Sequence, residues 1–280
     1  MNKTFIHHCI LEDLPQGDIT TEAVFGKVPR KAKAVFLAKQ DLVLSGLTAV
    51  KEILRTEFYK LKLRAQVRDG ALLKKGATFA ELVGPVQDIL RAERLCLNVM
   101  QRLSGVATLT KCFADLAKPF GVTLLDTRKT TPGMREWEKQ AVLHGGGFNH
   151  RMNLSDQYLI KDNHIAAAGS VALALERVMS HQRRHKNKPR IEVEVTNLSE
   201  LREALTFKPD IVLLDNMTPA LIRKAVMVRN RLAPKVLLEI SGGVTLKNLQ
   251  KHLPLGVERI SIGALTHSAP AADISLEIKL

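Results

Sequence analysis

The sequence predicts an α/β protein with a mixed α/β first domain and a second domain built like an incomplete parallel α/β barrel of six or seven strands. The chain has 280 residues, 45% of them hydrophobic, which is enough for two domains with cores of their own. After residue 121, short apolar runs recur, each followed by a polar loop and a helical stretch, as in parallel sheets with crossover helices. Before that point, alternating strands precede one long helical segment.

The first domain is expected to contain two half-buried strands and one long helix. Residues 31–39 and 61–68 alternate apolar and charged side chains, which is typical of strands with one face in water. A helical spacing of apolar residues runs from residue 87 to about residue 120. Ser104 and Gly105 lie inside it, and because glycine weakens a helix interior, we expect them to bend or interrupt the helix.

The second domain is expected to contain parallel strands that are covered on both faces, because several of its apolar runs lack alternation. Helix N-caps occur between them at Asn197, Thr218 and Thr245. Such repeats fit a doubly wound sheet or a closed barrel, and since six or seven strands fall short of eight, we predict an incomplete barrel. The predicted strands are residues 122–126, 158–160, 191–195, 211–215, 236–240 and 259–262.

The domain boundary is expected inside or just after the long helix. We assign residues 1–110 to the first domain and residues 111–270 to the barrel domain. The C-terminal segment, residues 271–280, contains the alternating run ISLEIKL. This run is expected to form an antiparallel edge strand that returns to the sheet of the first domain.

The net charge is the strongest global signal. The chain has 42 lysine and arginine residues against 28 acidic residues, a formal net charge of +14, which attracts nucleic acid, anionic lipid or a phosphorylated metabolite. Basic residues are frequent in residues 27–75 and 181–190, and the second stretch is typical of a solvated loop. Aromatic residues make up only 4% of the chain, which argues against a stacking surface for single-stranded nucleic acid.

The cytoplasm is the expected location of the chain. Acidic residues stand where a signal peptide would be apolar, and no apolar run approaches the roughly 20 residues that cross a bilayer. Cys9, Cys96 and Cys112 are odd in number and lack a C-x-x-C spacing, which argues against disulfides and zinc. We therefore expect a protein of a reducing compartment with no membrane partner.

Uncommon polar residues occur at the ends of the predicted parallel strands, where the reactive groups of α/β barrels gather. Cations and carboxylates occur there together, which suits an anionic substrate with a metal ion or a cationic transition state. Glu192 and Glu194 share one parity within a covered strand, so at least one of them is expected to meet a lysine, an arginine, a metal or a hydroxyl. The residues are Asp126–Lys129, Lys161–His164, Glu192, Glu194, Asp215–Asn216, Glu239–Gly243 and Gly263.

Two glycine-rich stretches have both a structural and a functional interpretation. Ser241, Gly242 and Gly243 precede a capped helix and can cradle a phosphate on backbone N–H groups, but glycines are also common in plain turns. Gly145–Gly147 fits a helix C-cap, with His150 just beyond it. The sequence lacks the P-loop, the dinucleotide-binding fingerprint, G-x-S-x-G and H-E-x-x-H.

The chain resembles the quinolinate phosphoribosyltransferase family, the carboxylating nicotinate-nucleotide pyrophosphorylases, along nearly its whole length. The most specific segments are DTRKTTPG at residues 126–133, GGGFNHR at 145–151 and IKDNHI at 160–165. Further segments, among them LPQGDITTEA, ERLCLNVMQRLSGVAT and ISIGALTHSAPAADISL, occur in the family's order. The resemblance implies an open α/β sandwich domain and an incomplete α/β barrel that carries phosphoribosyl transfer.

The resemblance also implies a reaction and its partners. A phosphoribosyl group passes from phosphoribosyl pyrophosphate (PRPP) to the ring nitrogen of quinolinate, and the 2-carboxylate is lost. The products are nicotinate mononucleotide, pyrophosphate and CO₂, in a step of de novo NAD biosynthesis. The implied cofactor is Mg²⁺, and the implied assembly is a homodimer whose active sites are shared between subunits. No nucleic acid or membrane partner is implied.

The family's quinolinate pocket carries over to matching positions in this sequence. The resemblance implies a cationic pocket made of Arg128, His150, Arg151 and Lys161. Arg94, in the segment ERLCLN, matches an arginine that reaches in from the neighbouring subunit. Several cations fit a substrate with two carboxylates, because an arginine can bind a carboxylate through two parallel hydrogen bonds.

The family's PRPP and metal residues carry over in the same way. Lys129, Glu194 and Asp215 match the catalytic positions. Glu194 and Asp215 also match the positions that hold Mg²⁺, an ion that prefers oxygen ligands and keeps several waters. The implied PRPP-binding residues are Lys129, Glu194, Asp215, Ser241, Gly242 and Gly263.

Three other interpretations stay open at this point. A molybdenum-associated paralogue family shares the fold and the GALTHSAPA tail motif, but differs around DTRKT and NHR. A nucleic-acid-binding protein would use the two basic stretches, although no nucleic-acid motif is present. A catalytically silent scaffold would not need the cations and carboxylates that stand at every expected position.

Overall fold

The computed structural model describes residues 3–26, 28–184 and 186–279. Residues 1 and 2 of the predicted first domain lie outside the described residues. So do three single positions of predicted segments, namely Lys27 in the basic stretch 27–75, His185 in the basic stretch 181–190, and Leu280 in the C-terminal run.

The chain divides into two compact units, each made of segments that are not contiguous in the sequence. The segment Thr130–Gly146 belongs to the first unit and interrupts the range predicted for the barrel domain. A long-range ion pair accounts for this, because the fully buried carboxylate of Glu138 accepts from Arg102 Nη2 at 2.8 Å. The first unit comprises Met1–Lys111, Thr130–Gly146 and Ser268–Leu280, and the second comprises Cys112–Lys129 and Gly147–His267.

The first unit contains a four-stranded antiparallel sheet. Its strand order is β12 (Ile274–Lys279), β1 (Lys31–Ala38), β5 (Thr78–Pro85) and β3 (Lys62–Ala65), so the alternating C-terminal run pairs with β1. Two short strands, β2 (Leu42–Val43) and β4 (Leu72–Leu73), form a separate pair. The helices are α1 (Lys3–Asp13), α2 (Ile19–Phe25), α3 (Leu47–Glu57), α4 (Val86–Ala117), which continues into the second unit, and α5 (Arg135–His144).

Helix α4 is continuous, so the predicted interruption at Ser104 and Gly105 is wrong. Ser104 Oγ donates to the carbonyl oxygen of Ser45 at 3.0 Å and accepts from the Ser45 amide at 3.0 Å. A Cβ at Gly105 would lie 1.9 Å from the carbonyl oxygen of Pro270. The glycine thus permits close packing against the C-terminal segment, and tertiary packing stabilises the helix more than glycine weakens it.

Replacing Gly105 with alanine is expected to lower the free energy of unfolding by at least about 2 kcal/mol, because the added methyl group overlaps the backbone at Pro270. Urea denaturation measures this loss. The matched control is Cys112→Ala at an exposed position of the same helix, which is expected to stay within about 0.5 kcal/mol of the original chain. Equal stabilities of the two variants would contradict the close packing.

The second unit contains a six-stranded parallel sheet, which agrees with the predicted number of strands. The sheet is open, because β6 and β7 stand at the two ends of its strand order. Phe148 extends it at β6 through an isolated parallel bridge to Leu125. The order is β6 (Thr123–Leu125), β11 (Arg259–Ser261), β10 (Leu237–Ser241), β9 (Ile211–Asp215), β8 (Ile191–Val195) and β7 (Tyr158–Ile160).

Helices follow the strands of this sheet, and the N-caps predicted from the sequence are present. The Asn197 side chain accepts from the Glu200 amide at 3.0 Å, and Thr218 Oγ1 accepts from the Leu221 amide at 3.4 Å. Thr245 forms a capping box. The helices are α6 (Asp162–Ala168), α7 (Val171–Arg184), α8 (Leu198–Phe207), α9 (Pro219–Leu232), α10 (Leu246–His252) and α11 (Ala264–His267).

The basic stretch 181–190 is only partly a loop. Its first residues form the last turn of α7, which carries His181, Arg183 and Arg184. Cations are favourable there because the carboxyl end of a helix bears partial negative charge. Among the described residues, no helix combines the length and the apolar character that a membrane span requires.

Candidate active site

The sheet of the second unit places its polar residues along one edge, at the carboxyl ends of its parallel strands. Asp126 follows β6 and Lys161 follows β7. Glu194 is the second-last residue of β8, while Asp215 ends β9 and Ser241 ends β10. Ser241 pairs in register with Asp215. Residues that are far apart in the sequence therefore lie at the ends of strands of one sheet.

Two arginines act on each other electrostatically at this edge. Arg151 is buried and Arg128 is half-buried. Burial, and next the positive charge of Arg128, lower the pKa of Arg151. Arg151 Nη1 donates to the carbonyl oxygen of Gln157 at 3.4 Å. Because two nearby guanidinium groups repel each other, an anion that contacts both is favoured.

Two carboxylates also act on each other electrostatically, at the ends of the adjacent strands β8 and β9. Glu194 and Asp215 are both half-buried. Burial, and then the charge of Asp215, raise the pKa of Glu194, while Lys161 acts in the opposite direction. These three groups therefore lie within electrostatic range of one another. The carboxylates favour a cation or hydroxyl donors between them, and Lys161 joins the acidic pair to the cationic part of the site.

The loop after β10 has a left-handed backbone at two consecutive glycines. Gly242 and Gly243 have φ of +92° and +61°, and a Cβ at Gly242 would lie 2.2 Å from Asn216 Oδ1. Asn216, itself at φ +50°, donates from Nδ2 to Asp215 at 2.8 Å and from its backbone to the Ser241 carbonyl at 2.9 Å. Asn216 thus links the Asp215 carboxylate to the loop after β10. Its role was not predicted, although asparagine is a frequent choice for this backbone region.

Lys129 reaches across the end of β11. Its side chain is exposed, and its backbone carbonyl accepts from Thr266 Oγ1 at 2.7 Å. A Cβ at Gly263 would lie 3.0 Å from Lys129 Cδ and 3.1 Å from the ring of His267. Gly263 therefore leaves the space through which the lysine side chain extends.

A buried polar cluster lies under this edge. His150 Nε2 is 3.1 Å from Glu192 Oε2 and 3.3 Å from Glu239 Oε1, and both carboxylates are fully buried. Gln157 donates to Glu192 at 2.5 Å, and Arg259 Nε donates to Glu239 at 2.7 Å. Glu192 therefore has partners, but they are a histidine ring and a glutamine amide rather than the lysine, arginine, metal or hydroxyl that was expected. Gln157 and Arg259 were not predicted to take part.

The charges in this cluster largely compensate one another. Burial and the neighbouring Glu239 raise the pKa of Glu192. Burial also acts to raise the pKa of Glu239, but His150 and Arg259 outweigh it and hold that pKa below its usual range. Burial lowers the pKa of His150. The hydrogen bonds to Glu192 and Glu239 and the charges of these carboxylates outweigh burial and raise this pKa to about 9.

Of the residues predicted for the site, the second unit holds all except Arg94. Arg94 lies on α4 in the first unit, with its side chain exposed. The fold and the polar residues of the second unit are those of an α/β enzyme with an anion-binding site next to a pair of carboxylates.

Comparison with known proteins identifies the family. The C-terminal domain of quinolinate phosphoribosyl transferase matches residues 106–277, and its N-terminal domain matches residues 18–104. A probable carboxylating nicotinate-nucleotide pyrophosphorylase of Bacillus subtilis is 38% identical over 279 residues, which cover 99% of this chain and 93% of that protein. A decarboxylating quinolinate phosphoribosyltransferase of Nicotiana tabacum is 40% identical over 274 residues, covering 94% and 77%.

Solved structures agree with the sequence relatives. The nicotinate-nucleotide pyrophosphorylase of Francisella tularensis superposes with a TM-score of 0.91 at 36% identity, and the match covers 99% of this chain and 95% of that one. This chain belongs to the quinolinate phosphoribosyl transferase family. The resemblance, the fold class and the enzyme class predicted from the sequence are thereby confirmed.

Proposed function

We propose that this chain transfers the phosphoribosyl group of PRPP to the ring nitrogen of quinolinate, with loss of the 2-carboxylate as CO₂. The observation that carries this proposal is that the second unit holds two arginines within electrostatic range, Arg128 and Arg151, and the carboxylate pair Glu194 and Asp215 at the carboxyl ends of β8 and β9. The arginines suit the diacid, and the carboxylates suit a ribose and a cation. The names of the relatives support the same reaction.

Quinolinate binds to Arg128, His150, Arg151 and Lys161 in this proposal. A unit-charge pair at about 4 Å contributes about 4 kcal/mol at an effective dielectric constant near 20, before desolvation is subtracted. One cation therefore does not offset the cost of taking a dianion out of water, and several are needed. The repulsion between Arg128 and Arg151 is relieved when a carboxylate lies between them, which adds to selectivity for a diacid.

PRPP binds along the neighbouring strand ends. The backbone N–H groups at Ser241 and Gly242 receive phosphate oxygens, and Lys129 extends past Gly263 to a second phosphate. Glu194 and Asp215 accept hydrogen bonds from the ribose hydroxyls. This arrangement holds the anomeric carbon in front of the quinolinate nitrogen, and such positioning removes much of the entropic part of a bimolecular barrier.

The carboxylate pair also fits Mg²⁺. Burial, and next the charge of Asp215, raise the pKa of Glu194, and hard oxygen ligands such as these two carboxylates are those that Mg²⁺ prefers. We propose that both hold the ion, directly or through water. When bound, the ion supplies neutralisation of the charge that develops on departing pyrophosphate.

The protein's own groups account for the remaining chemistry. The carboxylates of Glu194 and Asp215 stabilise the positive charge that develops on the ribose ring as pyrophosphate leaves. The alkylated ring nitrogen is then cationic and stabilises the carbanion left when CO₂ departs. Decarboxylation needs little beyond orientation by Arg128 and Arg151. The carbanion takes its proton from water to form the C–H bond of the product, so no residue is assigned as a dedicated acid or base for it.

The proposed assembly is a homodimer in which Arg94 of one subunit reaches the pocket of the other. The exposed position of Arg94 on α4 supports this role. Arg94→Ala and Arg128→Ala are each expected to be inactive, whereas unfolding and refolding them together should restore about a quarter of full activity, because half of the dimers then contain one intact site. Failure to regain activity in verified mixed dimers would contradict the shared site.

A reducing compartment such as the cytoplasm is the proposed location. Cys9, Cys96 and Cys112 are free thiols in the structure. Cys96 is buried, and burial raises its pKa to about 12, which keeps it an unreactive thiol.

The direct test is a reaction mixture of the purified protein, quinolinate, PRPP and Mg²⁺. Nicotinate mononucleotide and CO₂ are expected in equal amounts. Nicotinate in place of quinolinate is the matched control and should give no product, because it lacks the second carboxylate that the arginine pair requires. Turnover of nicotinate at a comparable rate would contradict the proposed substrate.

The loop of residues 241–243, which is proposed to bind phosphate, gives a prediction with an internal control. Gly242→Ala is expected to raise the KM for PRPP by roughly 10- to 100-fold, since overpacking typically costs 1–3 kcal/mol and the methyl group collides with Asn216 Oδ1. Gly243→Ala also has positive φ, but its Cβ meets no atom within 4 Å, so its effect measures backbone strain alone. Initial rates against PRPP concentration separate the two variants. Equal KM values would remove the role assigned to the Asn216 contact.

A further inference from the structure

We propose that the second unit holds a second anion-binding site, a cleft at the amino ends of β8, β9 and β10 that takes a phosphorylated metabolite of nucleotide size. This amino-end cleft has a volume of about 710 Å³, and the cations that line it are Arg190, Lys208 and Lys235. The inference goes beyond the proposed function and does not depend on the reaction that the active site carries out. The position of the cleft, its charge and its walls support it.

The amino-end cleft lies at the opposite edge of the sheet from the proposed active site. Arg190 directly precedes β8, while Lys208 and Lys235 stand in the loops before β9 and β10. The carboxyl ends of the same three strands carry the proposed PRPP site. Each strand has five residues, so at about 3.3 Å per residue its two ends are roughly 13 Å apart. The cleft is therefore separate from the edge at which the reactive groups of α/β barrels gather.

The cations of the amino-end cleft are not neutralised within the part of the chain that the structure describes. None of Arg190, Lys208 and Lys235 forms an ion pair there. Among the described lining residues, Asp210 is the one acid, and its Oδ2 accepts a hydrogen bond from the Ile191 amide at 2.7 Å. Three positive charges therefore face one negative charge that already has a backbone partner, and the cleft favours an anion.

Backbone hydrogen bonds connect the loops that carry these cations. The Asp210 amide donates to the Ile191 carbonyl at 3.0 Å, and the Leu237 amide donates to the Asp210 carbonyl at 3.1 Å. Lys208 ends α8 in the left-handed region with φ of +51°, and the following Pro209 restricts the backbone on both sides of the peptide bond. The points from which the cationic side chains extend are thus fixed before a ligand arrives, which reduces the ordering cost of binding.

Part of the cleft wall is apolar. Leu232 is 46% exposed, and it lines the cleft together with Pro234 and Leu237. Apolar surface beside cations favours an organic anion over a bare inorganic ion, because the ligand's own apolar surface is then removed from water as well. The volume of about 710 Å³ is within the range of roughly 300–1,000 Å³ that is usual for small-molecule sites.

The type of cation indicates phosphate as the anionic group. Two of the three cations are lysines, Lys208 and Lys235, and lysine binds phosphate as a compact point charge. A planar pair of arginine forks, which suits carboxylates, is absent among the described lining residues. Because the cations come from three separate loops, each can contact a different oxygen of one diphosphate group. A nucleoside diphosphate combines this group with an apolar ring, so it represents the ligand class.

The test titrates the purified chain with adenosine diphosphate (ADP) in a calorimeter. Lys208→Ala combined with Lys235→Ala removes two of the three cations, and this cleft variant is expected to bind ADP roughly 10-fold or more weakly, because hydrogen bonds to charged groups are lost. The matched control is Lys224→Ala combined with Lys251→Ala, two exposed lysines on α9 and α10 of the same unit. It removes the same charge outside the cleft and should change the affinity by less than about 2-fold.

Four outcomes would overturn the inference. The original chain does not bind ADP, or the cleft variant binds ADP as tightly as the original chain does. Equal weakening in the cleft variant and the lysine control would show that ADP responds only to the overall charge. Inorganic phosphate that binds the original chain as tightly as ADP, and is lost in the cleft variant, would show a site for the free ion without an organic part.

Two further measurements locate the ligand and check the fold. In a crystal structure of the unmodified chain with ADP, density between Lys208 and Lys235 is expected, and density only at the loop of residues 241–243 would overturn the inference. The circular dichroism spectrum and the molecular mass in solution of the cleft variant should match those of the original chain, because the replaced side chains are exposed. A changed mass would make the cleft an interface between copies of the chain and would also overturn the inference.

Discussion

Replacing Arg151 with alanine is expected to raise the KM for quinolinate by roughly 10²- to 10⁴-fold, because two charge-assisted hydrogen bonds of about 1.5–3 kcal/mol each are lost. The loss is larger than that of a surface arginine, because Arg151 is buried and its site is shielded from water. Initial rates at varied quinolinate and saturating PRPP measure the effect. The change should be confined to quinolinate, with the KM for PRPP altered little.

Two control variants make this expectation specific. Arg151→Lys keeps the charge but not the planar fork, and it should recover only part of the affinity. Arg183→Ala, in the last turn of α7 and exposed, removes one positive charge from the same unit and should leave the KM nearly unchanged. If Arg183→Ala and Arg151→Ala weaken binding equally, the pocket attracts quinolinate only through the overall charge of the protein.

The sequence defined the bounds of three strands of the parallel sheet. The predicted ranges 158–160, 191–195 and 211–215 agree with β7, β8 and β9 residue for residue. The run IVLLD of β9 is apolar up to its last residue and has few alternative structures. Strand β5 was not predicted, since its last residues are Gly84 and Pro85 and suggest a turn. In the structure, a Cβ at Gly84 would lie 2.6 Å from Leu61, so this glycine serves close packing within the sheet.

Long-range pairs explain why the two compact units are not contiguous in sequence and why α4 is not interrupted. The segment Thr130–Gly146 joins the first unit through contacts such as that between Glu138 and Arg102, 36 residues apart. No local pattern contains that information. The same holds for Gly105, whose neighbour Pro270 lies near the other end of the chain.

The candidate site could be predicted only as far as its location and chemistry. Strand ends indicated which residues would lie at one edge, and the parity of Glu192 and Glu194 indicated a buried carboxylate with a partner. The partners of Glu192, which are His150 and Gln157, come from other segments. The resemblance placed His150 in the pocket as a cation, and the structure adds the contacts of its ring with Glu192, Glu239 and the Arg151 amide, which no local pattern contains.

Replacing Glu194 with glutamine is expected to lower kcat by roughly 10²- to 10³-fold, since about 4 kcal/mol of charge interaction at 4 Å is removed from a developing cation and from Mg²⁺. Glutamine has the same shape, and Glu194 is only half-buried near the end of β8, so the fold should persist. The Mg²⁺ concentration that gives half-maximal rate should rise, because one carboxylate then remains, on Asp215. Activity of the original chain should be lost with a chelator and return with added Mg²⁺.

The matched control is Glu176→Gln, on an exposed position of α7 in the same unit, which should leave both kcat and the Mg²⁺ dependence unchanged. Two outcomes have different meanings for the carboxylate pair. A large loss of kcat with an unchanged Mg²⁺ dependence would assign Glu194 to the ribose alone and leave the ion to other ligands. Retention of most of the activity would remove Glu194 from the reaction, because the negative charge proposed to stabilise the sugar would then be dispensable.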